Sequence, residues 1–209
     1  TGLFVFPTKA LTNNQLENLR ELYDDLGLDL RVMPYDGDTD QDVKRSARDD
    51  ADVILTNFAG LNQYLSFHPK WARFLNNLEL ITIDESHTYK AVHGMHVAWI
   101  LRRLKRLVAE YGGTPQFVCT TATIGNPQEH TEKLIGEATT VVDNDGSPSG
   151  ERNILFWNPT EELEIDDSGS DDEIGGTPAA AGAAALTAHR ALHGVQTLTI
   201  NRSRTGAEL

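Results

Sequence analysis

Residues 80–87 read LITIDESH: an apolar run that breaks off into two acids, a serine and a histidine. An apolar run of this length that stops abruptly at polar residues suits a strand buried on both faces whose carboxyl end opens on a crevice. The same pattern occurs three more times. LFVF at 3–6 runs into Pro7-Thr8-Lys9, DVIL at 52–55 into Thr56-Asn57, and FVCT at 117–120 into Thr121-Ala122-Thr123. Shorter apolar runs lie at Leu30–Met33 and Val141–Val142, and segments of helical character separate the runs. That alternation predicts an α/β domain on a parallel sheet with helices on its faces. In such a sheet the carboxyl ends of the strands share one edge, so the four polar clusters are expected to line one site.

Working outward, the 209 residues amount to one large domain or one and a half small ones. With 39% hydrophobic and 23% charged residues the chain can build a core, which excludes a wholly disordered or fibrous protein. No run approaches the roughly 18 apolar residues of a membrane span, and no secretory leader precedes the first strand. A single cysteine, Cys119, forms no internal disulfide, and the expected compartment is cytoplasmic. Lys and Arg total 18 against 31 Asp and Glu, a net charge of −13, which argues against a protein that grips nucleic acid by bulk charge. The same acidity suits a salt-rich, halophilic cytoplasm.

The first helix is expected to begin at Thr12, which has capping-box spacing to Gln15, and to present Leu16, Leu19, Leu22 and Leu26 on one face before Gly27. A second, from about Met95 to Tyr111, should bury Val97, Ile100, Leu101, Leu104 and Val108 ahead of Gly112-Gly113. Asn126 and Pro127 read as the N-cap and first residue of a third helix, ending near Gly136. Residues 161–173, EELEIDDSGSDDE, carry eight acids and no base and read as a linker. Beyond it come an alanine-rich helix over about 179–192, a stop at Gly194 and an expected strand at Gln196–Ile200, a pair too small to hold a core unaided.

The order of the four clusters carries a resemblance. PTKAL at 7–11, TN at 56–57, DESH at 84–87 and TAT at 121–123 resemble motifs Ia, Ib, II and III of the superfamily 2 DExH-box helicases. YDGDT at 35–39, the run from Asp84 through HTYKAVHGMHVAWILRRLKRL, TIGNP at 123–127, FWNP at 156–159 and NRSRTGAEL at 201–209 look like the branch typified by the mitomycin-repair helicase. The resemblance implies a partial first RecA-like domain over 1–145, an acidic interdomain linker over 146–177 and the start of a second RecA-like domain over 178–209. It implies ATP and Mg²⁺ as cofactors, and single-stranded or duplex nucleic acid as partner, DNA favoured, in a repair setting.

Residue by residue, the resemblance makes Asp84 the magnesium ligand, acting through water, since Mg²⁺ keeps several waters and takes one or two carboxylates plus phosphates. Glu85 becomes the catalytic residue that positions and deprotonates the attacking water, and His87 couples the nucleotide site to the rest of the machine. Pro7, Thr8, Lys9, Thr56 and Asn57 line the nucleic-acid strand, with Thr8, Lys9, Thr56 and Asn57 supplying hydroxyl, ammonium and amide donors to its phosphates. Thr121, Ala122 and Thr123 link nucleotide state to strand binding, with the threonine hydroxyls reaching the acidic motif.

The departures from the pattern are as informative. None of the 17 glycines is followed by lysine, so the phosphate-cradling GxxxxGK[ST] loop is not in this chain. The resemblance implies that this loop lies upstream of Thr1 and that motifs V and VI lie beyond Leu209, so the chain alone is expected to turn over no ATP. Phe58 and Asp40 stand where close relatives usually carry proline. Two other readings stay open: a helicase remnant that binds nucleic acid or protein without hydrolysis, and a nuclease-associated translocase subunit. His87, His93 and His96 lack the second ligand cluster of a metal site. Arg102, Arg103, Lys105 and Arg106 alternate with Leu101 and Leu104, which reads as a solvated helix face more readily than as a nucleic-acid patch.

Overall fold

From Thr1 the chain alternates strand and helix. In chain order come β1 (Gly2–Val5), α1 (Lys9–Asp25), β2 (Val32–Pro34), α2 (Gln41–Asp50) and β3 (Val53–Thr56). Then follow α3 (Phe58–Tyr64), a 3₁₀ helix (Leu65–Trp71), α4 (Ala72–Asn76), β4 (Leu80–Ile83), a 3₁₀ turn (Ser86–Thr88), α5 (Ala91–Glu110), β5 (Gln116–Cys119) and α6 (Pro127–Ile135). The computed structural model describes residues 1–148, 150–156 and 179–200, and the chain divides into two units, Thr1–Asn144 and Asp145–Leu209. In the second unit the described regular structure is α7 (Ala179–Leu192).

The five strands form one parallel sheet in the order β2-β3-β1-β4-β5. Because β1 is central, its alternate residues divide the core in two. Leu3 and Val5 face Ile54, Ile81 and Ile83 and the fully buried Leu101, Leu104 and Val108 of α5. Phe6, Val53 and Leu55 join Phe4 on the other face, where α1 covers them with Leu11, Leu16, Leu19 and Tyr23. Each fully buried leucine contributes about 1.5–3 kcal/mol of transfer free energy. The covering by α1 stops at the middle of the sheet, and Val118 on β5 is 41% exposed.

The helix of strongest period forms as expected, α5 burying Val97, Leu101, Leu104 and Val108, with Ile100 half-buried. So does α6, with Pro127 at its start and Gly136 in the left-handed conformation at its end (φ 75°). Helix α1 departs at both ends. It starts at Lys9, capped by Thr8, whose hydroxyl accepts from the Leu11 N–H. Thr12, expected as the cap, is buried in the first turn and donates its hydroxyl to the Thr8 carbonyl, 3.0 Å away. Leu22 and Leu26 are exposed, so the apolar stripe ends a turn early. Val141–Val142 and Gln196–Ile200, expected as strands, have no regular structure. Pairing needs a neighbour, and among the described residues none lies beside them. The acidic run 161–173, residues 157–159 of FWNP and 201–209 lie outside the described residues.

The basic stretch of α5 is only partly solvated. Arg103 donates to the Ser66 hydroxyl (3.0 Å), and Lys105 donates to the carbonyl of Ile135 (2.8 Å) and to Glu137, placing a cation at the carboxyl end of α6. Arg102 and Arg106 are exposed, Arg102 lying over the Trp99 ring.

Helix α5 is locked to the preceding turn at Gly94. A Cβ built there would sit 2.5 Å from the Tyr89 carbonyl oxygen, a backbone atom that has nowhere to go. Gly94→Ala should therefore destabilise the fold by about 1–3 kcal/mol, as overpacking does, seen as a lower urea midpoint; an unchanged midpoint would mean that the turn yields freely.

Candidate functional site

The ladder levels the strand ends. Val5 is paired with both Thr56 and Ile83, and Ile83 with Cys119, so Phe6, Asn57, Asp84 and Thr120 emerge at one edge. Backbone bonds continue the ladder one step further: the Asp84 N–H donates to the Val5 carbonyl (2.9 Å) and the Thr120 N–H to the Ile83 carbonyl (3.0 Å).

At this edge Thr120 ties the acidic pair together. Its hydroxyl donates to Asp84 Oδ1 and accepts from the Glu85 N–H (3.3 Å), while its carbonyl accepts from the Ser86 N–H (2.9 Å). Glu85 has φ 50° and ψ 42°, the left-handed region that a side chain bearing a Cβ enters only at a cost of about 1–2 kcal/mol. Its carbonyl is held there by the N–H and hydroxyl of Thr88, at 2.9 and 2.8 Å. From this bend the Glu85 carboxylate, 45% exposed, meets His87, its Oε2 lying 3.2 Å from Nδ1.

The Ala122 N–H also points at His87 Nδ1, at 3.2 Å. One ring nitrogen cannot accept from an amide and donate to a carboxylate at once, so these contacts belong to different placements of the ring proton. His87 thus meets the acid in one state and the loop after β5 in the other. His130 Nε2 lies 2.8 Å from the Ser86 carbonyl, which can only accept, so that nitrogen carries the proton and binds α6 to the acidic turn. The hydroxyls of Ser86 and Tyr89, directly behind the acids, are buried with no partner among the described residues.

At the ends of β1 and β3 the picture is mixed. Lys9, at the start of α1, pairs with Asp38; that hydrogen bond raises the lysine's pKa and lowers the aspartate's, and both side chains stay in solvent. Asn57 caps α3, its side-chain oxygen accepting from the Gly60 N–H (2.9 Å), which leaves its NH₂ group as the donor. The YDGDT loop is held by Asp36, whose Oδ1 accepts from the N–H groups of Asp38 and Thr39 and from the Thr39 hydroxyl.

Two expected donors are committed elsewhere. The Thr56 hydroxyl is buried and donates to the Tyr35 carbonyl (2.6 Å), fixing β2 to β3, so it offers nothing to a ligand at the edge. Thr121 donates to the Ala122 carbonyl (3.0 Å), and Thr123 is exposed. The hydroxyl that reaches the acidic motif is that of Thr120, the residue before the expected three. In the sequence it passes as an ordinary β-former at the end of a strand; only its place in register with Asp84 marks it. Cys119 is no nucleophile, since burial pushes its thiol up to about 11. Among the described residues there is no cluster of three or more His, Cys, Asp or Glu that would hold a metal by itself, and no helix is long and apolar enough to cross a membrane.

Residues 1–131 match the family model described as DEAD/DEAH box helicase. The chain belongs to the DEAD/DEAH box helicase family. Its parallel sheet with flanking helices is the RecA-like α/β fold of such helicases. Among curated DEAD/DEAH-type relatives, it is 43% identical over 159 residues to the uncharacterized ATP-dependent helicase YprA of Bacillus subtilis, covering 76% of this chain and 21% of that protein. It is 38% identical over 165 residues to the ATP-dependent helicase hrq1 of Schizosaccharomyces pombe, covering 76% of this chain and 15% of that one. Among solved structures, the helicase MrfA bound to DNA and AMPPNP superposes with a TM-score of 0.86 at 38% identity, over 99% of this chain and 28% of that chain. The chain therefore spans about a fifth or less of the length of these two curated helicases.

The Tyr64 hydroxyl donates to the Asp36 carbonyl (2.7 Å) and so fixes the YDGDT loop, and burial pushes its phenol up to about 12. Between pH about 10 and 12 the folded chain keeps a proton that the unfolded chain has lost, so stability is full below that window and falls as pH rises through it. Tyr64→Phe should make that fall shallower in urea titrations across the window. An unchanged slope would mean that the phenol ionises freely in the folded state.

Proposed function

We propose that this chain is the water-activating and strand-contacting part of the first RecA-like domain of an ATP-dependent helicase that acts on DNA in repair. On this reading residues 1–145 belong to that domain, 146–177 form an acidic linker and 178–209 open the second RecA-like domain. The observation that carries the reading is the Thr120 bridge, whose hydroxyl ties the Asp84 carboxylate to the Glu85 backbone N–H at the open edge of a parallel sheet. The names of the relatives, ATP-dependent helicases, and the likeness to a helicase bound to DNA and a nucleotide analogue support it.

The donor set fits a magnesium nucleotide. Asp84 is half-buried at the strand end with one oxygen held by Thr120, and a single hard carboxylate suits an ion that keeps most of its waters and takes the rest of its ligands from phosphates. When bound, MgATP supplies the phosphoryl group and the charge neutralisation for its transfer. Asp84 would hold the ion. Glu85, beside Asp84 in the same strand-end turn, would orient the attacking water and take its proton. His87 exchanges the Glu85 carboxylate for the Ala122 amide, giving the loop after β5 a contact that depends on the state of the acid. Pro7, Thr8, Lys9 and Asn57, at the neighbouring strand ends, contact phosphates of the strand without reading its bases. Thr56 serves by holding the YDGDT loop in place, and Thr121, Ala122 and Thr123 form the loop that senses the nucleotide.

The 209-residue chain holds no glycine followed by lysine, so it should release no phosphate from ATP with or without single-stranded DNA. In a longer protein that joins this segment to a phosphate-binding loop, Glu85→Gln should lower kcat by about 10²-fold or more, the range of positioned acid–base catalysis, with nucleotide binding retained. Full hydrolysis by that variant would remove Glu85 from the catalytic role. Turnover by the 209-residue chain that Glu85→Gln abolishes would show that it needs no cradle from elsewhere.

A further inference from the structure

Beside the strand-end site, a cleft of about 350 Å³ lies between α2 and the 3₁₀ helix Leu65–Trp71. It opens at Tyr35 and Gly37, at the carboxyl end of β2, and runs down the face of α2. Among the residues that line it, three are cations (Lys44, Arg48 and Lys70) and none is an acid. In a chain of net charge −13 that segregation is itself informative.

The cations are built into the wall. Lys44 and Arg48 are one helical turn apart on α2 and share its inner face. Lys44 is only 7% exposed, and its ammonium donates to the Gly37 carbonyl (3.1 Å), leaving two further N–H donors. Arg48 donates to the Tyr35 hydroxyl (3.2 Å). Its planar fork has five N–H donors in all. On the opposite wall Phe67 is 55% exposed, and the Lys70 ammonium lies 5.9 Å from the centre of its ring. Of the two acids beside the cleft, Asp36 spends its Oδ1 on the Asp38 and Thr39 N–H groups, and Asp38 is paired with Lys9.

Cations that take a phosphate, next to an open aromatic ring that takes a base, are the two elements of sequence-tolerant single-strand binding. We infer that this cleft seats one nucleotide of a nucleic-acid strand, its phosphate on Arg48, Lys44 and Lys70 and its base on Phe67. The volume is at the small end of binding clefts, about 300–1,000 Å³. Gly37, at its mouth, adjoins Asp38 and so the Lys9 contact, which makes the cleft an extension of the path proposed above. The inference rests on that reading of Lys9 and Asn57 as strand contacts. An acidic peptide would use the cations and leave the ring idle, so the ring favours the nucleotide.

The test is fluorescence anisotropy of a fluorescein-labelled oligothymidylate with the 209-residue chain, over a range of salt. Arg48→Ala with Lys70→Ala, both changed at residues outside the core, should weaken binding and lower the salt slope by about 0.7 for each phosphate that is no longer neutralised. Phe67→Ala should weaken binding about tenfold and leave the slope unchanged, as removal of a stacking ring does. Lys9→Ala separates the two readings. If it weakens binding while the three cleft substitutions do not, the cleft is not on the path and the strand-end reading stands. If the unsubstituted chain does not bind the oligonucleotide, both readings fall. Competition by polyglutamate stronger than that by unlabelled oligothymidylate would make the occupant an acidic protein. Competition by thymidine monophosphate as strong as that by the oligomer would make it a mononucleotide pocket, and either result overturns the inference.

Discussion

The register of β1 between β3 and β4 governs the molecule. Val5 faces Thr56 on one side and Ile83 on the other, and Ile83 faces Cys119 in turn, so four strands end at one level. Slipping any one of them by a residue would turn its apolar side chains to the wrong face. In β4 the same slip would carry Asp84 out of reach of Thr120 and leave Ile81 and Ile83, both fully buried, on the α1 side. The burial that fixes the core thus also fixes the spacing of the polar edge. The bonds of Thr120 to Asp84, Glu85 and Ser86 then fix the acids to the start of the loop after β5.

Around that edge, polar side chains divide into those that hold the frame and those left to meet a ligand. Thr12, Asp36 and Thr56 spend oxygens or hydroxyls on backbone groups a few residues away or on the next strand. Lys9, Asn57, Glu85 and His87 keep donors or acceptors at the surface. Net charge is a poor guide to such a surface. Charges more than a Debye length apart, about 8 Å in physiological salt, act almost independently. An acidic chain can therefore present cations where they matter.

Much of this was legible in the residues. The four strands that run into polar clusters, the period of α5, and the Asn126-Pro127 start and Gly136 end of α6 each rest on local chemistry that tertiary contacts do not override. What was not legible depended on neighbours. Thr12 has capping-box spacing, but Thr8 follows a proline at a strand end and lies in extended backbone (φ −133°, ψ 151°), which is what a cap requires. Val141–Val142 has strand composition without a strand to pair with. The short helices α2, α3 and α4 carry too few turns for periodicity to register. At the site, Asp84, Glu85 and His87 stood out by type and order. Thr120 did not, because a hydroxyl's role is set by the acid beside it in the sheet, 36 residues away in the chain.

The left-handed backbone of Glu85 has a further consequence for how such a segment can change. Glycine would occupy φ 50° without the penalty that a Cβ brings, so the position is one where the fold alone would prefer to lose the carboxylate. On the role proposed for Glu85, stability and turnover would pull against each other at this residue. Without that role, glycine at this position would cost the fold no left-handed strain, so the identity of this one residue would record which of the two demands had prevailed.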